Sequence, residues 1–289
     1  MPSLIDFRRR IRSVKNTQQI TKAMKMVSAA KLRRAQERVL AARPYSRTLR
    51  ELLANVAGAV DPEVAASNPL MAVREEKKVL VIVVTADRGL AGAFNSNLIK
   101  RAVSTVTELS SKGAEVSFEL VGRKGRDFFK RRYTSVAGEM VGIFLKSPTI
   151  EHATELAKRV MQRYADAEVD AVYLAVNEFK SVMAPNISVS KILPVEVPQG
   201  SAAGGGYIYE QPPDQLLNAL LPRYVNTQIY QSLLESMAAE HAARMTAMDS
   251  ASSNASDVID ALTLHMNRVR QATITKEIIE IVSGASALE

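Results

Sequence analysis

The sequence contains no cysteine, and it has only three histidines. Without cysteine the chain has no disulfide, no thiol switch and no zinc–thiolate site. No two histidines stand at metal-binding spacing. The longest strongly apolar run is the segment VLVIVV (residues 79–84), far short of the ~20 residues that span a bilayer. The sequence therefore predicts no membrane-spanning helix.

The first residues, MPSLIDFRRRIR, have no apolar core in front of a cleavage site, so we do not expect a signal peptide. A cytoplasmic location is the simplest interpretation. The chain has 289 residues, of which 47% are hydrophobic and 24% are charged. This composition is typical of a globular protein with one or two domains.

Positive charge is concentrated near the N-terminus. The net charge is +8, and residues 8–50 hold fourteen Lys or Arg residues but one acid, Glu37. One interpretation is a solvated helix face. The other is a surface that meets an acidic partner, which could be nucleic acid, anionic lipid or a carboxylate-rich protein loop. Charge alone leaves both interpretations open.

The first predicted element is a long helix from about Ser3 to about Gly58, which Pro44 would bend. Its second half has the alternating three- and four-residue spacing of a coiled-coil seam. This seam consists of Leu32, Ala35, Val39, Ala42, Ser46, Leu49, Leu53, Val56 and Val60. Extended toward the N-terminus, the same register falls on mostly polar residues: Val14, Gln18, Thr21, Lys25 and Ser28. Residues 61–69, DPEVAASNP, predict a linker.

The middle of the chain alternates predicted strands and helices, which indicates a small parallel or mixed sheet with helices against it. The predicted strands are residues 77–85, 115–122, 169–179 and, at an edge of the sheet, 186–195. The predicted helices are residues 91–111, 123–132 and 149–167. The segment GSAAGGG (200–206) predicts a flexible loop, and YIYE (207–210) predicts a short strand.

A second long helix is predicted from about Pro213 almost to the C-terminus, although Pro222 lies in its first turns. A seam with spacings of four and three runs along it. This seam consists of Tyr230, Leu234, Met237, His241, Arg244, Met248, Ala251, Ala255, Val258, Leu262, His265, Val269 and Ala272. Serine and asparagine in the segment SASSNAS (250–256) favour a break, but the seam continues through them. We therefore predict that this helix pairs antiparallel with the first one, as a rod of roughly 105 Å.

No self-contained active site is found in the sequence. The loop TADRGLAGAFN (residues 85–95) has neither the G-x-G-x-x-G pattern nor the lysine of a P-loop, so it predicts a tight strand-to-helix turn. The segment GRKGR (122–126) has no phosphate-loop pattern either. Two of the histidines, His241 and His265, fall on the helix seam, and His152 lies in an amphipathic helix. No serine stands in a G-x-S-x-G motif.

Four stretches resemble the γ subunit of F-type ATP synthases. The N-terminal stretch is IRSVKNTQQITKAMKMVSAAKLRRAQ (residues 11–36), and the second is TADRGLAGAFN. The other two, ARMTAMDSASSNA (243–255) and ITKEIIEIVSGASA (274–287), lie in the C-terminal helix. The last has the family's Ile-Thr, Glu, acid and Gly-Ala at matching spacing. The order and spacing match along the whole chain, as in bacterial members that lack the cysteine-containing chloroplast insertion.

The resemblance implies an α/β fold: a long antiparallel two-helix coiled coil plus a central Rossmann-like domain. The implied division is an N-terminal helix (1–60), a linker (61–76), an α/β domain (77–210) and a C-terminal helix (211–289). The implied function is that of a rotor shaft in a ring of three α and three β subunits, beside the ε subunit and on the c-ring. Neither a cofactor nor catalytic residues are implied.

The resemblance also implies two kinds of functional residue. Contacts with the stationary subunits are expected at Met24, Lys25, Met26, Val27, Arg270, Gln271 and Thr275. An apolar bearing at the tip of the shaft is expected at Ile274, Ile278, Ile279, Ile281 and Val282.

Two other classes compete if the resemblance is set aside. A basic nucleic-acid-binding or scaffold protein would use the basic stretch of the N-terminal helix, but residues 8–50 have Tyr45 as their one aromatic residue for base stacking. An α/β enzyme with helical arms is the other class. Such an enzyme should bind nucleotide or substrate when the chain is isolated from other proteins.

Overall fold

The computed structural model describes residues 3–181, 185–196 and 209–286. The chain divides into two units. One combines the first 29 residues with those from Arg244 onward, and the other runs from Ala30 to Ala243. The predicted domain boundaries stay a prediction. The predicted loop at residues 200–206, and residues 207–208 of the predicted strand, lie outside the described residues.

The two long helices form as predicted. Helix α1 spans Leu4–Ala59 and contains Pro44, and helix α6 spans Pro213–Ser286 and contains Pro222. Helix α6 passes through the serine-rich segment without a break, so the seam predicts it better than residue propensity does. Most seam positions of α1 beyond Ala30 are buried, including Leu53 and Val56.

The larger unit contains a five-stranded sheet with the order β3-β2-β1-β4-β5. Its strands are β1 (Lys78–Val84), β2 (Glu115–Val121), β3 (Val136–Met140), β4 (Ala171–Phe179) and β5 (Pro185–Leu193). The first four in this order are parallel, and β5 pairs antiparallel with β4 at the edge. The remaining helices are α2 (Pro62–Ser67), α3 (Phe94–Ser111), α4 (Arg123–Phe129) and α5 (Ile150–Ala165), with a 3-10 turn at Ile143–Leu145.

The apolar run of β1 is buried because both faces of the sheet are covered. Its even-numbered residues, such as Leu80 and Ile82, pack in a core with Leu53 of α1, Leu156 of α5 and Leu221 of α6. Its odd-numbered residues pack in a second core on the opposite face, against Leu98, Ala102 and Val106 of α3. Because successive side chains of a strand point to opposite faces of the sheet, β1 contributes apolar residues to both cores.

Three sequence-based assignments need correction. Strand β3 was missed, because VAGEM contains glycine and glutamate and shows no apolar alternation. The predicted linker contains helix α2, which starts at Pro62 and whose N-cap Asp61 accepts a hydrogen bond from the Glu63 N–H. Tyr209 and Glu210, the described half of the predicted YIYE strand, form no strand.

Candidate functional site

The carboxyl ends of the parallel strands are tied together by Asp87, which is 5% exposed. Its carboxylate accepts hydrogen bonds from the backbone N–H groups of Arg123 (3.0 Å), Gly142 (2.8 Å) and Phe144 (2.9 Å). Backbone N–H groups at such an edge are the donors that bind phosphate in nucleotide-binding proteins. Here a carboxylate of the chain itself already occupies them, as expected for a closed structural turn.

The segment GRKGR has a structural use as well. The Thr85 hydroxyl donates to the Val121 carbonyl oxygen (3.0 Å) and accepts from the Gly125 N–H (2.8 Å). Gly122 has a φ of 89° and contacts the Thr85 backbone so closely that a Cβ atom would overlap it. These glycines therefore allow two loops to approach each other.

The three histidines take structural positions. His241 is buried, and the His265 ring packs on Phe7 with 5.0 Å between ring centroids. His152 Nδ1 accepts a hydrogen bond from the Thr149 N–H (3.1 Å) in a capping box at the start of α5. In the described part of the chain, no cluster of three or more His, Asp or Glu residues could hold a metal ion.

The smaller unit is an antiparallel helix pair joined by polar contacts. The hydroxyls of Thr21 and Ser252 lie 2.7 Å apart, and Gln18 Nε2 donates to the Ser252 carbonyl oxygen at 3.5 Å. Lys25 Nζ lies 2.6 Å from Asp249 Oδ1. Moving toward the N-terminus of α1 leads toward the C-terminus of α6, as antiparallel pairing requires. The polar part of the seam is thus a set of real interhelical contacts.

The predicted contact residues 24–27 lie along this pair. Met26 and Val27 are 63% and 55% exposed, Met24 is half-buried, and Lys25 is held by Asp249. This short stretch therefore presents apolar surface beside a cation that is engaged within the chain. Sequence reasoning missed Asp249, although the antiparallel register through Thr21 and Ser252 leads to it.

The predicted tip residues lie on a single exposed helix. Every residue from Arg270 to Ser283 is exposed. The five apolar residues assigned to the bearing are between 48% and 72% exposed: Ile274, Ile278, Ile279, Ile281 and Val282. The other predicted contacts, Arg270, Gln271 and Thr275, are exposed on the same helix. The structure therefore places the bearing residues and three of the predicted contacts near the end of α6, where they are exposed within the described residues. The other predicted contacts, residues 24–27, lie on α1.

The basic stretch is largely unpaired. Of its fourteen Lys and Arg residues, only Lys25, Arg33 and Arg47 have a carboxylate oxygen within 4.0 Å in the described part of the chain. Their partners are Asp249, Glu37 and Glu51. Unpaired cations at this density attract an acidic surface, but they do not identify it.

Comparison with known proteins decides the family. A family model described as ATP synthase matches residues 3–288. The ATP synthase gamma chain of Solibacter usitatus is 60% identical over 290 residues, and that of Pelotomaculum thermopropionicum is 54% identical over 293; both alignments cover 100% of each chain. The chain belongs to the ATP synthase gamma chain family. Membership of this family favours the predicted rotor-stalk role over the nucleic-acid-binding or scaffold alternative.

Chains in solved structures of ATP synthases have a similar fold. A chain of the Euglena gracilis mitochondrial ATP synthase aligns with a TM-score of 0.66 at 17% identity, over 99% of this chain and 94% of that chain. A chain from the structure of the Tetrahymena thermophila mitochondrial ATP synthase central stalk and c-ring aligns with a TM-score of 0.61 at 24% identity, over 81% of this chain and 99% of that chain. At these identities the likeness concerns the fold. No helix in residues 3–181, 185–196 and 209–286 is long and apolar enough to cross a membrane.

Proposed function

We propose that this gamma chain is the central rotor stalk subunit of an F-type ATP synthase. By rotating, it couples proton flow through the membrane c-ring to ATP synthesis in the hexamer of α and β subunits, and it influences ATPase activity in the same way. Full-length similarity to bacterial gamma chains supports this role.

The exposed end of α6 is the observation that carries the proposal. Most of the stability of a helix in a protein comes from packing of its apolar face, and β-branched residues have a lower helix propensity than leucine or alanine. The end of α6 has apolar side chains but no such packing within the described residues. Full burial of an exposed isoleucine or valine side chain gains about 1.5–3 kcal/mol. Because the side chains at the tip are between 48% and 72% exposed, a collar can supply only the corresponding part of this gain at each of them. The five residues of the predicted bearing would together stabilise the helix strongly inside an apolar collar. The upper end of the ring of α and β subunits would supply that collar.

An apolar collar also suits rotation. Isoleucine and valine side chains in a dry sleeve form few directional bonds, so the turning helix meets little specific resistance. The polar contacts would lie elsewhere, at Lys25 and Arg270, where exposed charges attract each other by only about 1 kcal/mol at 4 Å in water. Such contacts can form and break at each step.

The chain has no catalytic role in this proposal. The β subunits hold most of the active site, with one arginine from α. One gamma chain per complex would stand on the c-ring beside the ε subunit, at the cytoplasmic face of the bacterial plasma membrane. Its membrane attachment would then be peripheral and would come through the c-ring alone, and it would bind neither nucleic acid nor a cofactor.

Affinity purification tests the role directly. The tagged chain should bring down α, β and ε subunits in fixed ratio, with three β subunits for each gamma chain. Recovery of the chain alone, or with nucleic acid that is released steeply by salt, would contradict the proposal.

A further inference from the structure

The ion pair between Lys25 and Asp249 lies within the proposed contact surface of the shaft. Lys25 Nζ and Asp249 Oδ1 are 2.6 Å apart, yet the two side chains are 41% and 60% exposed. Lys25 extends from α1 and Asp249 from α6. The exposed side chains of Met26 and Val27 follow Lys25 directly. Within the chain, Lys25 at the proposed contact is thus already paired with Asp249.

Lys25 can exchange Asp249 for another carboxylate, because neither charge of this pair is buried. Exposed ion pairs are weak because water solvates both ions well. An open groove of about 410 Å³ reaches the pair, and its lining includes Gln18, Lys22 and Ser256. A carboxylate from outside can therefore approach Lys25 and replace Asp249. Such replacement would be costly for a fully buried pair.

We propose that Asp249 is a positioning residue that controls how strongly Lys25 binds the stationary subunits. Lys25 exchanges between Asp249 and a carboxylate of a stationary subunit, and the internal partner takes the lysine back when the shaft turns away. This inference rests on the proposed rotor function. Asp249 weakens each external contact, since the carboxylate of the partner must displace it, and thereby speeds release.

A double-mutant cycle in the reconstituted complex tests the exchange. The variants are Asp249→Asn, Lys25→Gln and the combination of both. At low ionic strength, Asp249→Asn should slow ATP hydrolysis about two- to fivefold, the factor expected for one exposed ion pair. The effect should disappear at high salt, because exposed charges are then screened. Asp249→Glu should restore the rate.

The decisive comparison is made in the Lys25→Gln background. There Asp249→Asn should have no effect, because the lysine that it releases is absent. Asp257→Asn is the matched control, since it removes the same charge from an exposed position of α6 that has no ion pair within the described residues. It should leave the rate unchanged. An equal effect of Asp249→Asn in both backgrounds, or equal effects at residues 249 and 257, would overturn the inference.

A second measurement does not depend on turnover. In the full chain by itself, acetylation of Lys25 should be faster in the Asp249→Asn variant than in the wild type, relative to exposed Lys15. An unchanged ratio would overturn the exchange. If the wild-type chain fails to assemble with α and β subunits, the proposed function fails instead, which keeps the two failures distinct.

Discussion

The rings of Phe7 and His265 lie 5.0 Å apart between centroids, and this contact is close to the end of the helix pair. Helix α1 begins at Leu4, only one turn before Phe7. Helix α6 continues to Ser286. About five turns of α6 therefore extend beyond its partner helix, at 3.6 residues per turn. This segment presents five large apolar side chains that the described residues leave exposed, and they form the surface that the proposed collar would cover.

The tip should be essential in the complex and dispensable in the free chain. We expect Ile278→Asp, Ile279→Asp and Val282→Asp, introduced together, to reduce assembly and ATP hydrolysis strongly. The melting temperature of the isolated chain should change little, because all three side chains are already more than half exposed. Reconstitution with α and β subunits, followed by an ATPase assay, measures the effect.

The control for the tip places the same charges elsewhere on α6. Ser250→Asp, Asn254→Asp and Ala261→Asp change three exposed residues of the paired segment. This triple variant should assemble better than the tip variant. Wild-type assembly and hydrolysis by the tip variant would count against an apolar bearing.

Arg270 should affect turnover more than assembly. Its side chain is exposed and has no ion pair among residues 3–181, 185–196 and 209–286. We expect Arg270→Glu to lower the hydrolysis rate per complex while the yield of assembled complex falls less, because a single exposed contact contributes little to assembly. An equal loss of both quantities would make Arg270 a purely structural residue.

The long-range pattern of the helices could be predicted from the sequence, whereas some local features could not. The seam from Leu32 to Val60 repeats over many turns, and its burial follows from helix geometry alone. Strand β3 has five residues, and its place depends on pairing with β2 and on no pattern of its own. The ion pair of Asp249 likewise depends on which residues of two distant helices meet.

The site was predicted through resemblance more than through physical pattern. Residues such as Ile278 and Val282 were notable because apolar side chains nearly encircle the end of a helix. Lys25 is the one basic residue of the stretch that falls on the extended seam, but the seam does not identify the residue of α6 that it meets. Its partner in the folded chain became visible only when α1 and α6 were placed side by side.

A buried ion pair should stabilise the sheet against α5. Glu119 is 1% exposed, and its carboxylate accepts a hydrogen bond of 2.6 Å from the Arg159 guanidinium. We expect Arg159→Met to destabilise the chain by roughly 2–4 kcal/mol, since it leaves a buried carboxylate without its cation. Urea unfolding followed by circular dichroism measures this change.

The same arginine offers its own control. Arg159 also contacts Glu155, whose side chain is 61% exposed. Glu155→Gln should cost about 0.5 kcal/mol or less, because exposed pairs contribute little. Comparable decreases in the free energy of unfolding for Arg159→Met and Glu155→Gln would show that the contact with buried Glu119 contributes no more than an exposed pair does.

The network around Glu76 should make stability depend on acid pH. Burial by itself raises the pKa of Glu76, but hydrogen bonds from Lys191 and Tyr173 outweigh it and lower this pKa below 4.5. A carboxyl with a lowered pKa binds fewer protons in the folded state, so its contribution is present above pH 4.5 and is lost as pH falls through the folded pKa.

The corresponding comparison uses Glu76→Gln at two pH values. The difference in unfolding free energy from the wild type should be largest near neutral pH and should shrink well below pH 4.5. Glu75→Gln serves as the control, because its pair with Lys77 is more than 70% exposed on both sides. A difference for Glu76→Gln that stays constant with pH would contradict the assignment.

Rotation of a probe on the chain tests the central claim most directly. Because the chain has no cysteine, the variant Arg131→Cys gives one attachment point on an exposed residue of the larger unit. With the α and β subunits fixed to a surface and ATP supplied, the probe should turn in one direction and pause at three orientations. A probe that stays fixed while the same complexes hydrolyse ATP would contradict the rotor account.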